Sequence, residues 1–435
     1  MLRVIAIDLG TTKVVTVMGE KNDNGSYRIL AYGEEPSSGI NHGQVENILS
    51  VSNAVKPTLE AVKNITGENE IKEVFVGIAG QHVKCIDNSV DISRDKYDEL
   101  ITEEEIKMLE KSARNLPMTD AEDVLHIVSK NYSIDGKDEI TDPVGRLGHK
   151  LTGHFHVITG NSSSSKCTTL CMNKIGLEVK KKILEPIASA RAILSDEEKE
   201  LGVVLIDIGG GTTDLIIYKN GILLHTAVIS YGGNDITREI REKFSLLPEK
   251  AEKIKIHFGS CSCPDNIPAN RVIEIKGING RSDQEIPIRE LNAVIRDVVE
   301  KEIINAIINE IQPYEKFGIG AGIVFTGGAS KLQGLSEFTK EIFGKANKDS
   351  NIYVKMGYPE FVSSDSYRID ELAHPKYSTV VGLLMCGFDY LERKNTADII
   401  IEPQQESDGG ERSGSPKRSL RNALESFKRF FTAED

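Results

Sequence analysis

Two motifs rich in glycine and threonine, each led by an aspartate, lie about half a chain apart. The first is Asp8–Lys13 (DLGTTK) and the second is Asp207–Asp214 (DIGGGTTD). Each follows a short apolar run and precedes another, so each is predicted to form the turn of a β-hairpin. Such a turn exposes backbone N–H groups and hydroxyls that bind phosphate oxygens. Ordinary glycine turns are the alternative, but the repetition in matching contexts favours phosphate binding.

The leading aspartates are predicted to project from strand ends toward the same phosphates. Magnesium keeps most of its waters and is held by one or two carboxylates, so Asp8 and Asp207 are its predicted ligands, through water. Asp207 is also a candidate catalytic residue. The predicted phosphate ligands are Gly10, Thr11, Thr12, Gly209, Gly210, Gly211, Thr212 and Thr213.

Composition restricts the class of protein. The chain has 435 residues, which predicts two to four structural units. A net charge of −13 argues against a general nucleic-acid binder, and the six cysteines show no disulfide framework, which favours a reducing, cytoplasmic compartment. There is no signal-peptide pattern and no apolar run of 18 residues.

The order of predicted elements repeats, as expected for a duplicated α/β fold with inserted subdomains. Helix Ile288–Ile311 is predicted to be long and amphipathic, and His149, His154 and His156 fit an alternating strand better than a metal site. The predicted units are a first core (1–83 and 161–200), an inserted interaction subdomain (84–160), a second core (201–231 and 312–401), a second-half subdomain (232–311), a flexible linker (402–416) and an amphipathic helix (417–435).

Two further segments complete the predicted site. Gly327, Gly328 and Ala329 end a buried strand and are predicted to open a helix, where backbone and a helix N-terminus approach a ligand. Glu185 begins a helix of small residues that is predicted to cross the late helix Ser378–Leu391 at a hinge. This glutamate is a candidate to orient the water that attacks a terminal phosphate, or alternatively a helix cap.

The C-terminal segment has the pattern of a membrane-surface helix. Its apolar residues fall within an arc of roughly 120° on a helix. Five basic residues and one glutamate give Lys417–Phe431 a charge of +4, against −17 for the remainder. This pattern predicts binding to anionic lipid, with docking on the globular part as the alternative. The predicted membrane-binding residues are Leu420, Leu424, Phe427, Lys428, Phe430 and Phe431.

The motifs together resemble the superfamily of actin, sugar kinases and DnaK-type chaperones. More narrowly, the chain resembles the bacterial cell-division protein family FtsA along nearly its whole length. The segments that carry the resemblance are Ile7–Lys13, Glu185–Ala190, Asp207–Asp214, Tyr231–Thr237, Ala251–Lys255 and Phe325–Gly328. The resemblance implies duplicated actin-like (RNase H-like) domains that bind ATP and Mg²⁺, with Glu252 and Lys255 along the adenosine and Lys13 at the phosphates.

The resemblance also implies a role. A member of this family would polymerise on the cytoplasmic face of the membrane at the division site, tether the FtsZ ring and recruit later divisome proteins. Its ATP hydrolysis is expected to be slow at most. An actin-like scaffold of another system, such as pilus biogenesis, is the alternative. The family's FtsZ-contact arginine has no clear counterpart, because Val298 stands at its place. The basic residues Arg289, Arg296 and Lys301 on the same segment are candidate substitutes, but a solvated helix face is the favoured interpretation of them.

Overall fold

The computed structural model describes residues 2–401, except 24, 81–82, 96, 120, 264, 266, 269, 277–282, 347–351 and 361, and describes only the backbone of 139, 316 and 393–401. The predicted linker 402–416 and membrane helix 417–435 lie outside the described residues. So do the six residues predicted to bind membrane: Leu420, Leu424, Phe427, Lys428, Phe430 and Phe431.

Eighteen strands form in the described part of the chain, and short runs of β-branched and apolar residues account for most of them. In chain order they are β1 Arg3–Leu9, β2 Lys13–Lys21, β3 Tyr27–Pro36, β4 Ile40–Asn41, β5 Gln44–Val45, β6 Glu73–Ile78, β7 Lys84–Ser93, β8 Glu122–Ile134, β9 Lys137–Ile140, β10 Lys150–Asn161, β11 Glu178–Leu184, β12 Val203–Ile208, β13 Thr213–Lys219, β14 Ile222–Ile229, β15 Val272–Ile275, β16 Gln284–Pro287, β17 Gly322–Thr326 and β18 Val354–Met356.

Several α-helices of the described residues begin at a side-chain cap or at proline, as at Asn47, Thr102 and Pro248. They are α1 Ile48–Thr66, α2 Glu103–Ala113, α3 Ser162–Lys174, α4 Glu185–Ile193, α5 Asp196–Leu201, α6 Gly233–Phe244, α7 Pro248–Phe258, α8 Ile288–Val298, α9 Asn305–Ile311, α10 Leu335–Ala346, α11 Ile369–Leu372 and α12 Ser378–Ile401.

Two five-stranded sheets share one topology. The first has the order β11-β6-β1-β2-β3 and the second has the order β14-β13-β12-β17-β18. In each, a central hairpin is antiparallel and is extended by one further antiparallel strand on one side and two parallel strands on the other. Thus β1 and β2 correspond to β12 and β13, and the predicted duplication is confirmed.

Helices α4 and α12 cross between the two sheets, as their small residues predict. A Cβ atom added at Gly382 of α12 would lie 1.8 Å from the backbone oxygen of Ala188 in α4. A side chain at this position would therefore push the helices apart. Both helices belong to the hydrophobic core that joins the two halves, and the hinge expected at their crossing stays a prediction.

The chain between β6 and β11 of the first sheet forms a separate sheet with the strand order β7-β10-β8-β9. This sheet and α2 enclose a hydrophobic core of their own. Strand β10 contains His154 and His156, which confirms the predicted strand for these two residues, whereas His149 lies just before it. Nδ1 of His156 lies 3.1 Å from Oδ1 of Asp87, and Nδ1 of His154 lies 2.8 Å from Oγ of Ser89. The predicted boundaries of the structural units stay predictions.

The predicted long helix Ile288–Ile311 is not one regular α-helix. A π-helical segment, Val299–Ile304, separates α8 from α9, and the N–H of Asn305 donates to the backbone oxygen of Glu300. The extra residue shifts the helical register, so that neighbouring Val298 and Val299 both become buried. Apolar spacing alone predicts a helix but does not distinguish its hydrogen-bond period.

The interpretation of Arg296 as part of a solvated helix face is wrong. Its Nη1 donates to the backbone oxygen of Cys261 over 2.6 Å, and its guanidinium lies 3.9 Å from the ring centroid of Phe338. Arg296 also pairs with Glu341 at 3.1 Å. This arginine therefore joins α8 to the loop before β15 and to α10. Among the helices of the described residues, we find none with the length and hydropathy needed to cross a bilayer.

Candidate functional site: a cleft between two hairpins

The turns of the two hairpins meet across the cleft. A Cβ atom added at Gly210 would lie 2.3 Å from Cγ2 of Thr12, and one added at Gly211 would lie 2.8 Å from Oγ1 of Thr11. Only glycine permits this approach. The structure therefore brings the two predicted phosphate-binding turns, which stand about two hundred residues apart in sequence, to one place.

Residues outside the two motifs also contact the turns. The N–H of Gly43 donates to Oγ1 of Thr11 over 3.2 Å, and Nδ1 of His42 lies 2.7 Å from the backbone oxygen of Gly211. The β4–β5 connection thus contacts both turns. The sequence analysis did not identify His42 or Gly43, and the Gly39–Gly43 spacing around a two-residue strand was the only signal for a tight loop there.

Four carboxylates converge below the turns: Asp8, Glu185, Asp207 and Asp214. Asp8, Asp207 and Asp214 are each at most 7% exposed. Burial, followed by the negative charges of Asp8, Asp214 and Asp207, raises the pKa of Glu185 well above its ordinary value. Burial and the same neighbouring aspartates, Asp207 first, also raise the pKa of Asp214. These negative charges disfavour ionisation of the whole cluster, and a nearby cation opposes the shift at Glu185.

That cation is Lys13, whose Nζ lies 3.4 Å from Oδ2 of Asp8 and 5.5 Å from the ring centroid of Tyr377. Its side chain is 16% exposed, so it reaches the cleft from the start of β2. The amine is within reach of any phosphate bound at the turns. The role of Lys13 at the phosphates stays a prediction.

Asp207 is held by hydroxyls and by a close backbone. Oγ of Ser189 and Oγ1 of Thr379 both donate to its Oδ2, over 2.7 and 3.2 Å. A Cβ atom added at Gly327 would lie 2.3 Å from its Oδ1, and Gly327 has a φ of +90°. Burial raises the pKa of Asp207, and the hydrogen bond from Ser189 opposes that shift.

Helices α6 and α7 bring the predicted adenosine-side residues to the same cleft. Nζ of Lys255 lies 2.8 Å from the backbone oxygen of Gly233, 2.8 Å from Oγ1 of Thr237 and 2.8 Å from Oε2 of Glu252. Thr237 also donates to Glu252. Burial lowers the pKa of Lys255. Lys255 therefore ties the two helices together at the cleft wall, while the carboxylate of Glu252 is 40% exposed.

The GG turn lies where it was predicted, but the element that follows it differs. Gly327 and Gly328 lead into a single 3-10 turn, Ala329–Lys331, and α10 begins only at Leu335. The predicted helix N-terminus at Gly328 is therefore wrong, because three residues of 3-10 geometry present few free N–H groups in line. Ala329 still closes the cleft: a Cβ atom added at Gly233 would lie 3.0 Å from its Cβ.

Glu185 is the first residue of α4, and Leu184 is the N-cap, without a side-chain capping hydrogen bond. The alternative that Glu185 caps the helix is therefore not what the structure shows. A Cβ atom added at Gly77 of β6 would lie 3.0 Å from Oε1 of Glu185. The absent side chain at Gly77 leaves room for the carboxyl group. Its role toward water stays a prediction.

The chemistry of the cleft fits a nucleotide with a divalent cation. Oδ1 of Asp214 is a buried oxygen for which the structure gives no hydrogen-bond partner, and clustered carboxylates are stabilised by a cation. Among the described side chains, no three of His, Cys, Asp or Glu are arranged to hold a metal ion directly. Coordination through water, as predicted for Asp8 and Asp207, suits magnesium. The sequence analysis did not assign Asp214, although its place at the end of the second motif was a signal.

The duplicated sheets and the hairpins that face each other across a hinge place the chain in the actin-like class. Solved structures with this fold include the PilM–PilN type IV pilus biogenesis complex, with a TM-score of 0.63 and 16% identity, covering 88% of this chain and 98% of that one. Another is MreB5 of Spiroplasma citri bound to ADP, with a TM-score of 0.51 and 14% identity, covering 92% and 98%. These likenesses concern the fold alone.

The chain belongs to the FtsA family of cell division proteins. Residues 204–382 match the family model "Cell division protein FtsA", and residues 80–159 match "SHS2 domain inserted in FTSA". FtsA of Neisseria meningitidis is 33% identical over 87% of this chain and 88% of its own length. FtsA of Pseudomonas aeruginosa is 34% identical over 88% and 89%, and that of Escherichia coli K12 is 30% identical over 88% and 90%.

Proposed function

We propose that this chain is an ATP-binding cell-division protein that self-associates on the cytoplasmic membrane and tethers the FtsZ ring there. The observation that carries the nucleotide part is the meeting of the two turns over four carboxylates and Lys13. In this proposal the turns bind the β- and γ-phosphates, and Glu252 and Gly328 border the adenosine. Bound Mg²⁺ would neutralise phosphate charge and be held through water by Asp8 and Asp207.

Turnover is proposed to be slow. Burial and the charges of Asp8, Asp214 and Asp207 raise the pKa of Glu185, which makes its carboxyl group harder to ionise before a cation enters the cluster. Nothing in the cleft marks a second substrate besides water. Binding of ATP would thus serve to close the two halves, and its hydrolysis would let them open again.

The membrane part of the proposal rests on the sequence of residues 417–431. Each charge offers about 1 kcal/mol near an anionic surface, and each partly buried Leu or Phe roughly 1–2 kcal/mol. Ordering some fifteen residues costs about 1 kcal/mol or more per residue, so one segment binds weakly. Many copies on one filament would bind tightly. Self-association would therefore convert a weak anchor into a stable one that holds FtsZ and later divisome proteins at the division site.

The pilus alternative has less support. The PilM likeness has 16% identity and concerns the fold, whereas FtsA relatives match at 30–34% identity over most of the chain. The basic amphipathic C-terminal segment also favours a protein that carries its own membrane anchor.

Titration with a fluorescent ATP analogue tests the nucleotide part. Gly328→Val is a suitable variant, because its φ is −64° and an added Cβ meets only Lys376, at 3.7 Å, so the fold should tolerate the change. We expect loss of binding because the side chain enters the adenosine space. Gly344→Val, at a glycine with nothing within 4 Å, is the control. Wild-type affinity in Gly328→Val would contradict the assignment.

Flotation with liposomes and co-sedimentation with FtsZ test the membrane part. Removing everything after Pro416 should abolish flotation and leave ATP binding unchanged. Phe427→Glu should do nearly as much, and Lys428→Glu should weaken binding mainly to anionic lipid at low salt. A truncated protein that still floats would show that the membrane contact lies elsewhere. A full-length chain that fails to sediment with FtsZ would contradict the proposed binding to FtsZ.

A further inference from the structure

The carboxylate of Asp207 receives hydrogen bonds from both helices of the hinge. Ser189 belongs to α4 and Thr379 belongs to α12, and their hydroxyls donate to the same oxygen, Oδ2, over 2.7 and 3.2 Å. The two hydroxyl oxygens lie 3.1 Å from each other. Three oxygens from β12, α4 and α12 thus form one closed group beneath the cleft.

The arrangement fixes the orientation of the carboxylate. Oδ2 is held by the two hydroxyls, and Gly327 occupies the space beside Oδ1, where an added Cβ would lie at 2.3 Å. Ser189 is fully buried and Asp207 is 7% exposed, so water does not compete strongly for these bonds. Hydrogen bonds to a charged acceptor are shorter and stronger than neutral ones, which makes this pair an effective clamp.

The packing of the two helices does not by itself require hydroxyls at these positions. Close contact at the crossing is provided by Gly382 against Ala188, and alanine in place of Ser189 would fill a helix crossing as well as serine does. A buried hydroxyl costs free energy unless it is paired. The pairing of both hydroxyls with Asp207 therefore points to a function in orienting that carboxylate.

We propose that Ser189 and Thr379 are positioning residues that hold Asp207 for the hydrated cation of the bound nucleotide. Because one hydroxyl comes from each crossing helix, the affinity for the cation depends on how α4 and α12 are placed, and cation binding in turn stabilises one placement. The inference rests on the proposed binding of ATP with magnesium. It adds a physical link between the metal and the hinge.

A neighbouring pair of hydroxyls provides a matched control. Oγ1 of Thr326 lies 2.7 Å from Oγ of Ser378, and both residues are fully buried. Ser378 precedes Thr379 on α12, and neither Ser378 nor Thr326 has a hydrogen bond to Asp207 among the contacts of the described residues. Ser378→Ala therefore removes a buried hydroxyl from the same helix without touching the carboxylate.

The test compares affinities for fluorescent ATP in magnesium and in EDTA, with folding checked by thermal unfolding. Ser189→Ala should reduce the ratio of the two affinities roughly tenfold, the low end of the loss seen when an outer hydrogen-bond partner of a metal ligand is removed. Thr379→Val, which loses the longer bond, should reduce it less, and Thr379→Ser should restore it. Affinity in EDTA should change little in each variant.

An unchanged ratio in Ser189→Ala and Thr379→Val would overturn the inference, and so would an equal loss in Ser378→Ala. If Ser189→Ala does not fold, the Thr379→Val and Thr379→Ser pair decides the question, because serine carries a hydroxyl at this position and valine does not. If the wild-type protein binds no ATP with or without magnesium, the proposed nucleotide function fails together with this inference. Binding that is tight but equally so in EDTA would overturn the inference alone.

Discussion

The two glycine- and threonine-rich hairpins have the same strand pairing, but the groups beside their leading aspartates differ in charge. In the first, Asp8 pairs across the strands with Val15 and lies 3.4 Å from the amine of Lys13. In the second, Asp207 pairs across the strands with Asp214 and is held by neutral hydroxyls. Where the first hairpin has a cation and an apolar partner, the second has a further carboxylate.

The difference shows how a duplicated fold can build one asymmetric site. Backbone N–H groups of both turns can hold phosphate oxygens, since that ability comes from glycine and turn geometry. Under the proposed function, charge would divide the work: Lys13 would attract phosphate from one side, and the carboxylates would attract a hydrated cation from the other. Of the two predicted magnesium ligands, Asp207 would then contribute more than Asp8, because Asp8 is shared with Lys13.

The largest expected effect separates the two leading aspartates. Asp207→Asn should weaken magnesium-dependent ATP binding on the order of 100-fold, because the cation loses its best-held carboxylate. Asp8→Asn should cost roughly tenfold, since that carboxylate is already shared with Lys13. Titrations at several magnesium concentrations measure both. A loss in Asp8→Asn as large as that in Asp207→Asn would break the proposed division of work.

Glu185 belongs to neither hairpin and tests whether turnover can be separated from binding. Glu185→Gln keeps the shape of the side chain and removes its ability to accept a proton, so ATP affinity should stay within about twofold. Phosphate release should slow on the order of 100-fold if the carboxyl group orients or deprotonates the water. Release measured at saturating ATP checks this, and an unchanged rate would remove Glu185 from the reaction.

Lys13 tests the phosphate side. Lys13→Met should reduce ATP affinity roughly tenfold in magnesium and in EDTA alike, because a charge-assisted hydrogen bond of about 1.5–3 kcal/mol is lost. Lys21→Met is a suitable control: Lys21 ends the same strand and pairs with Glu392 at 2.6 Å, away from the turns. A loss confined to magnesium would place Lys13 with the metal instead.

The smallest effect concerns stability without ligand. Because the pKa of Asp214 is raised in the folded state, the folded protein binds more protons than the unfolded chain at pH values above the ordinary aspartate pKa. Stability is therefore lost as pH rises toward the raised pKa. Asp214→Asn removes that loss and should raise the Tm at pH 8 in EDTA by about 1 °C for each kcal/mol recovered, because a chain of 435 residues has a large unfolding entropy. A lower Tm at pH 8 would show that the carboxylate stabilises the empty cleft.

Much of the fold follows from local patterns. Runs such as Val203–Ile208 and Ile222–Ile229 form strands, because continuous apolar residues between turn signals leave few alternatives. The duplication was visible in the order of these runs. The π segment Val299–Ile304 was not, because the same apolar residues suit either helical period and tertiary packing selects between them.

The site was less predictable than the fold. Glycines of the turns and Lys13 could be found because their chemistry is local. The convergence of the Ser189 and Thr379 hydroxyls on Asp207 depends on a contact between α4 and α12, which are far apart in sequence. Small polar residues in apolar helices are the signal that could have found Ser189, since a buried hydroxyl needs a partner.

The most direct test of the account is the affinity of the full-length wild-type chain for ATP, measured by calorimetry with excess magnesium and then with EDTA. Two unlike hairpins over a carboxylate cluster predict tight binding with magnesium and binding at least tenfold weaker without it. They also predict proton release when the complex forms, as Glu185 and Asp214 ionise beside the cation. No binding, or equal affinity in both conditions without proton release, would contradict the account.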